Sequence, residues 1–113
     1  MIYIIDRPIT KEFLQTLAEE RFGDMVKAVV DIEGAVMALG GELHADEEAA
    51  LLEKGAKQEH LWGINIYIDP AREQSVEFDS MINIRPRQGN RSRNVEDAEI
   101  RDKILSIVKQ LIP

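Results

Sequence analysis

Asp79, Ser80, Asn83 and Arg85 stand among core-grade apolar residues in the stretch EFDSMINIRPRQGNRSR, residues 77–93. A strand that only holds a fold together does not need so many polar side chains. From Arg85 to Val95 there are four arginines (Arg85, Arg87, Arg91, Arg93) and no acid. Guanidiniums grouped in this way can clamp a phosphate, a carboxylate or an RNA backbone through paired N–H donors. The structural alternative is pairing with the chain's own acids near Glu42 and Asp46–Glu48, which would lock the loop down. Upstream, Asn65, Asp79 and Asn83 fall on one side of an expected strand pair. A carboxylate beside amides can bind a ligand, or act as a general base if its pKa is raised. The plainer account is a polar sheet face, solvated or covered by a partner subunit.

Glu42, His44 and Asp46 alternate, and with His60 they offer a nitrogen and oxygen set that would suit a first-row metal. Two features oppose this. Gly40-Gly41 ends the strand that would align them, and Asp46 is wanted as a helix cap. No metal or other cofactor is therefore assigned. Ser80 and Ser92 are available hydroxyls, but no nucleophile elbow surrounds either. Gly40-Gly41 lacks the Gly-Lys pair of a phosphate-binding loop, and acids follow it.

The elements that must position these residues can be read from spacing. A chain of 113 residues with 44% hydrophobic content forms one domain with a substantial core, residues 1–113. Ile2–Ile5 reads as an edge strand. Thr10 caps a helix over Lys11–Phe22, with Ile9 and Leu14 as its hydrophobic staple and Gly23 closing it. Met25–Ile32 and Ala35–Leu39 form a hairpin about Glu33-Gly34. Its register pairs Ile32 with Ala35, Val30 with Met37 and Ala28 with Leu39. A short helix follows over Glu47–Lys54, capped by Asp46. Leu61–Asp69 pairs with Val76–Arg85, setting Ile66 against Phe78, Ile68 against Val76, Asn65 against Asp79 and Tyr67 against Glu77. Trp62 packs in the core near Ile82. Pro86 stops the ladder, and Gly89-Asn90 turns a loop of about ten residues. The last helix covers Asp97–Leu111, with a stripe of Ile100, Ile104, Ile107, Val108 and Leu111. The order predicts an α+β domain. Its antiparallel or mixed sheet of three to five strands is packed on one face by an N-terminal and a C-terminal amphipathic helix.

The net charge of −7 and pI near 4.8 disfavour nucleic acid and anionic membrane as partners of the surface at large. The chain has no cysteine, so disulfides, thiolate metal sites and Cys nucleophiles are excluded. That composition fits a reducing compartment. The opening MIYIIDRP is too short and too soon charged for a signal peptide, and no apolar run reaches membrane-span length. A soluble cytoplasmic protein is expected.

The segments GGELHADEE (40–48), LWGINIY (61–67) and EFDSMINIRPRQGNRSR (77–93) resemble an uncharacterised family of small bacterial and archaeal proteins, a domain of unknown function. The resemblance covers nearly the whole chain. It implies a stand-alone prokaryotic cytosolic protein and carries no activity or catalytic residue. A strand ending in arginine, a basic loop and a terminal helix are also similar in layout to endoribonuclease toxins of the MazF and PemK type. This chain opens with a strand and a helix where those toxins open with sheet.

Three functions follow as expectations. The first is a binding or interaction protein that uses Asn65, Asp79, Asn83, Arg85, Arg87, Arg91 and Arg93 for an anionic small molecule or an acidic protein partner. The second is a small ribonuclease or phosphodiester hydrolase, with Asp79, His44 or His60 as base. The third is a structural homo-oligomer joined through the polar strand face.

Overall fold

The computed structural model describes residues 1–113. Its centre is the hairpin of β2 (Met25–Asp31) and β3 (Val36–Leu39). Val30 pairs with Met37 and Ala28 with Leu39, as the alternation of apolar residues requires. The turn differs from expectation. Asp31 and Val36 form the last pair, so Ile32–Ala35 all lie in the turn and Ile32 does not face Ala35. The Asp31 carboxylate accepts from the amides of Glu33 (3.0 Å) and Gly34 (3.1 Å), and Ala35 adopts a φ of 56°. An Asp at the head of a turn favours this arrangement over a tight turn at Glu-Gly.

β1 (Tyr3–Ile5) pairs with β3; β4 (Leu61–Tyr67) pairs with β2, and β5 (Val76–Glu77) with β4. The sheet order is β1-β3-β2-β4-β5, antiparallel throughout. With its three helices this is an α+β domain. No helix is long and apolar enough to cross a membrane.

α1 (Lys11–Arg21) and α3 (Ala98–Leu111) cover one face. Leu14, Leu17 and Ala18 of α1 join Ile104, Ile107, Val108 and Leu111 of α3 over Val26, Ala28, Val30, Met37, Leu39, Trp62, Ile64 and Ile66. α1 starts where its sequence implies, and α3 starts one residue later than expected, with Asp97 as its cap. Thr10 Oγ1 accepts from the Phe13 amide at 3.0 Å, and Asp97 accepts from Glu99 at 2.8 Å. Trp62 is buried in this core, but Ile82 is not beside it; Ile82 packs on the other face of the sheet.

α2 (His44–Glu53) occupies that other face, where Leu51 packs with Val29, Ala38 and Leu61. The N- and C-terminal helices share one face as expected, while the short helix α2 lies on the other, and α2 begins ahead of Asp46. Asp46 lies in its first turn instead of capping it. The adjoining Glu47 explains the early start. Its carboxyl is fully buried and accepts from the Gly41 amide at 2.9 Å, tying α2 back to the Gly40-Gly41 bend. Burial pushes the Glu47 carboxyl up to about 9, partly offset by that hydrogen bond. A Cβ at Gly41 would lie 3.0 Å from Glu47 Cγ, so a glycine fits this close approach.

The β4–β5 pairing also departs from expectation. Asn65 pairs with Glu77 and Ile66 with Val76, two residues away from the register inferred by alternation. Moving a strand by two residues keeps every side chain on its face, so hydrophobic patterning does not distinguish these registers. β5 ends at Glu77 and does not run on to Arg85. Ser80 instead caps a single 3₁₀ turn over Met81–Asn83, its hydroxyl accepting from the Ile82 amide.

Candidate functional site

α2 covers only part of its face of the sheet. Beside it, the alternation that buries Val29 leaves Met25 and Lys27 of β2 next to Asn65 and Tyr67 of β4. A cavity of about 530 Å³ opens there, closed on one side by the first turn of α2 and on the other by residues 79–82 and Arg93.

Asn65 forms its floor and is 6% exposed. The Asn65 Nδ2 donates to Glu77 Oε1 at 2.9 Å and to the Asp79 carbonyl at 3.4 Å. Both partners are acceptors, which sets the orientation of the amide. Its Oδ1 is buried and accepts from no group of the protein. Glu77 Oε1 also accepts from the Tyr67 hydroxyl at 3.2 Å. Desolvation, then the hydrogen bond to Glu77, raises the pKa of that hydroxyl.

His44 enters from α2, and its Nε2 lies 2.8 Å from the Ile64 carbonyl. A carbonyl only accepts, so Nε2 carries the proton and Nδ1 presents a lone pair. Nδ1 has no hydrogen-bond partner in the protein. Burial lowers the pKa of His44, with Lys27 and Arg93 adding to the effect and the Ile64 carbonyl and Asp79 opposing it. The ring is therefore neutral at pH 7.

The donors come from three places. No side chain caps α2, whose N-cap position is Leu43, and the amides of His44 and Ala45 have no partner. The positive end of the helix dipole thus meets the cavity with free N–H groups. Lys27 pairs with no carboxylate; its Nζ rests 5.2 Å from the centre of the Phe22 ring. Arg93 Nε lies 2.5 Å from Asp79 Oδ1 in an ion pair at the mouth. Leu43 and Met81 are 54% and 64% exposed, giving the cavity apolar lips.

Of the residues singled out by sequence, Asn65, Asp79, Ser80, Arg93 and His44 meet here. The others have different places. Asn83 is fully buried and bonds to the backbone of Gly63 and Arg93. Arg85 turns inward. Its guanidinium lies over the Trp62 ring, 4.5 Å from the centre, and donates to the carbonyls of Gln58, Leu61 and Ile82. Desolvation lowers the Arg85 pKa. Arg87 and Arg91 are exposed, and their guanidiniums make no ion pair or hydrogen bond.

The basic loop is not bare. Asn90 is 3% exposed, and its Nδ2 donates to the carbonyls of Asn83 (2.7 Å), Ser92 (3.1 Å) and Asn94 (2.7 Å). Its Oδ1 accepts from the Glu96 amide at 2.8 Å. Ser92 donates to Glu96 outside the cavity, and this bond leads the effects that lower the Glu96 pKa. Ser80 is buried at the cap of its turn.

Glu42, His44 and Asp46 do not converge. Glu42 reaches Arg21 at 3.9 Å, His44 faces Ile64, and His60 lies 3.9 Å from Glu59. No three His, Cys, Asp or Glu side chains are grouped to hold a metal ion.

Sequence reasoning missed Lys27, the free amides of α2 and the role of Glu77. Lys27 reads as an ordinary outward residue of its strand. It joins the site only because β2 pairs with β4 and sets it opposite Asn65. No curated protein and no solved structure matches the chain. A family model does match residues 3–111, and the chain belongs to that family, described as protein of unknown function DUF5674.

Proposed function

We propose that this is a small-ligand-binding protein whose cavity receives an anionic group at the first turn of α2. The observation that carries the reading is the uncapped helix start, with its free amides, opening on the same cavity as Lys27 and Arg93. Free N–H groups, a helix dipole and two cations favour an anion together more than any of them does alone. The buried, unpartnered Oδ1 of Asn65 supports a bound molecule that also carries a donor. Cytoplasmic residence belongs to this reading and is supported by the cysteine-free chain.

Thermal melting against phosphate, nucleotides, organic acids and amino acids tests it. A ligand present at about 100 times its Kd adds about 2.7 kcal/mol, a shift of several degrees in a domain of this size. The shift is expected to vanish in Lys27→Met/Arg93→Gln. A flat panel overturns the reading.

A second reading is hydrolysis of a phosphodiester. It is favoured by the neutral His44, whose free Nδ1 stands near Lys27 and Arg93 as a base beside phosphate-binding cations. Cleavage of a model diester, with a rate that rises with pH through the His44 titration and is lost in His44→Gln, would support it. Equal rates in wild type and variant would exclude it.

A further inference from the structure

We propose that the ligand is a zwitterion, an apolar α-amino acid, with its ammonium against Asn65, Glu77 and Asp79 and its carboxylate against the α2 first turn, Lys27 and Arg93. This rests on the ligand-binding reading and narrows it.

The wall of the cavity has two chemical halves. One half accepts. Asn65 Oδ1 is buried without a donor, and it lies beside the carboxylate of Glu77, to which Asn65 itself donates at 2.9 Å. Asp79 has one carboxylate oxygen on Arg93 and the other free of any hydrogen bond. The other half donates, through the amides of His44 and Ala45, the Lys27 ammonium and the guanidinium nitrogens of Arg93 not engaged by Asp79. Lys27 and Asn65 are register partners on β2 and β4, and the Asp79–Arg93 pair joins the halves at the mouth. Acceptor and donor halves therefore lie side by side.

The charges also balance. Lys27 and Arg93 oppose Glu77 and Asp79, and a plain anion would sit next to both carboxylates. It would also leave Asn65 Oδ1 without a donor. A molecule with an ammonium and a carboxylate one carbon apart satisfies both halves. Leu43 and Met81, exposed on the rim, can then cover an apolar side chain.

The test compares apolar L-amino acids with the same compounds lacking the amino group, the same compounds lacking the carboxylate, and inorganic phosphate. Calorimetric titration is expected to detect only the intact amino acids. Glu77→Gln keeps the acceptor for Asn65 and Tyr67 but removes the charge, and is expected to weaken binding by about tenfold or more. Lys27→Met alters no hydrogen bond, so it keeps the test open if Glu77→Gln melts early; the same loss is expected. Deaminated acids or phosphate binding as tightly as the amino acids would overturn the zwitterion while leaving the anion site standing. Unchanged affinity in both variants would overturn it too. No heat with any compound, phosphate included, would end both readings.

Discussion

The side-chain amide of Asn83 stands in for a β-strand against Gly63. Its Oδ1 accepts from the Gly63 amide at 2.8 Å, and its Nδ2 donates to the Gly63 carbonyl at 3.0 Å. β5 has ended by this point, so the free edge of β4 would otherwise hold an unpaired, buried peptide group. Nδ2 also donates to the Arg93 carbonyl at 2.9 Å, so one amide ties β4 to the loop that delivers Arg93.

That relationship makes Asn83 a stability residue. Asn83→Ala leaves the buried amide and carbonyl of Gly63 without partners, while the Arg93 carbonyl keeps the Ser80 amide, and is expected to cost about 2–3 kcal/mol. Gly63→Ala places a Cβ 2.5 Å from Ser80 Oγ and is expected to cost about 1–3 kcal/mol through overpacking. Urea denaturation measures both. Wild-type midpoints would show that the strand-like pairing contributes nothing.

Glu47 makes stability depend on pH. Its folded pKa is raised to about 9 from an ordinary 4.5, so the folded protein keeps a proton that the unfolded chain has lost. Stability from this group is complete below the unfolded value and falls as pH rises through the window up to the folded value. At pH 7 the loss is roughly 3 kcal/mol. Glu47→Gln should flatten this slope and stabilise the protein more at about pH 8 than at about pH 5, read from urea midpoints. Parallel curves for wild type and variant would contradict the buried neutral carboxyl.

His44 has the opposite sign. Burial lowers its pKa, so the folded protein releases a proton that the unfolded chain still holds just below the ordinary histidine value. That contribution to stability is lost as pH falls through this window. Nitrogen NMR at neutral pH should find His44 uncharged with the proton on Nε2. A proton on Nδ1 would remove it both as a base and as an acceptor in the cavity.

The arginines should separate by role. Arg85→Lys loses the planar stack on Trp62 and the fork that reaches the Gln58, Leu61 and Ile82 carbonyls. A cost of about 1–3 kcal/mol and a change in fluorescence from the single tryptophan are expected. Arg87→Ala and Arg91→Ala should each stay within about 0.5 kcal/mol of wild type. Equal effects at all these positions would mean that the loop works as one charged surface.

Sequence alone determined what depends on local period and local chemistry. Thr10 announces its helix because a cap needs only its own next turn. The β2–β3 register follows from Ala28, Val30, Met37 and Leu39, since a one-residue slip would reverse every face. Asn65, Asp79, His44 and Arg93 could be named because polar side chains among core residues are conspicuous. Tertiary structure decided the rest. Alternation does not distinguish β4–β5 registers two residues apart, and the early end of β5 selects between them. It then turns Asn83 from a surface amide into a buried partner of Gly63. Asn83 and Asn90 order the loop through contacts that no periodicity encodes. The cavity exists because α2 packs on the face opposite α1 and α3 and leaves the Lys27–Asn65 end open. That choice depends on how α2 and Glu47 seat against Gly41 and the sheet, a three-dimensional fit that spacing along the chain does not carry.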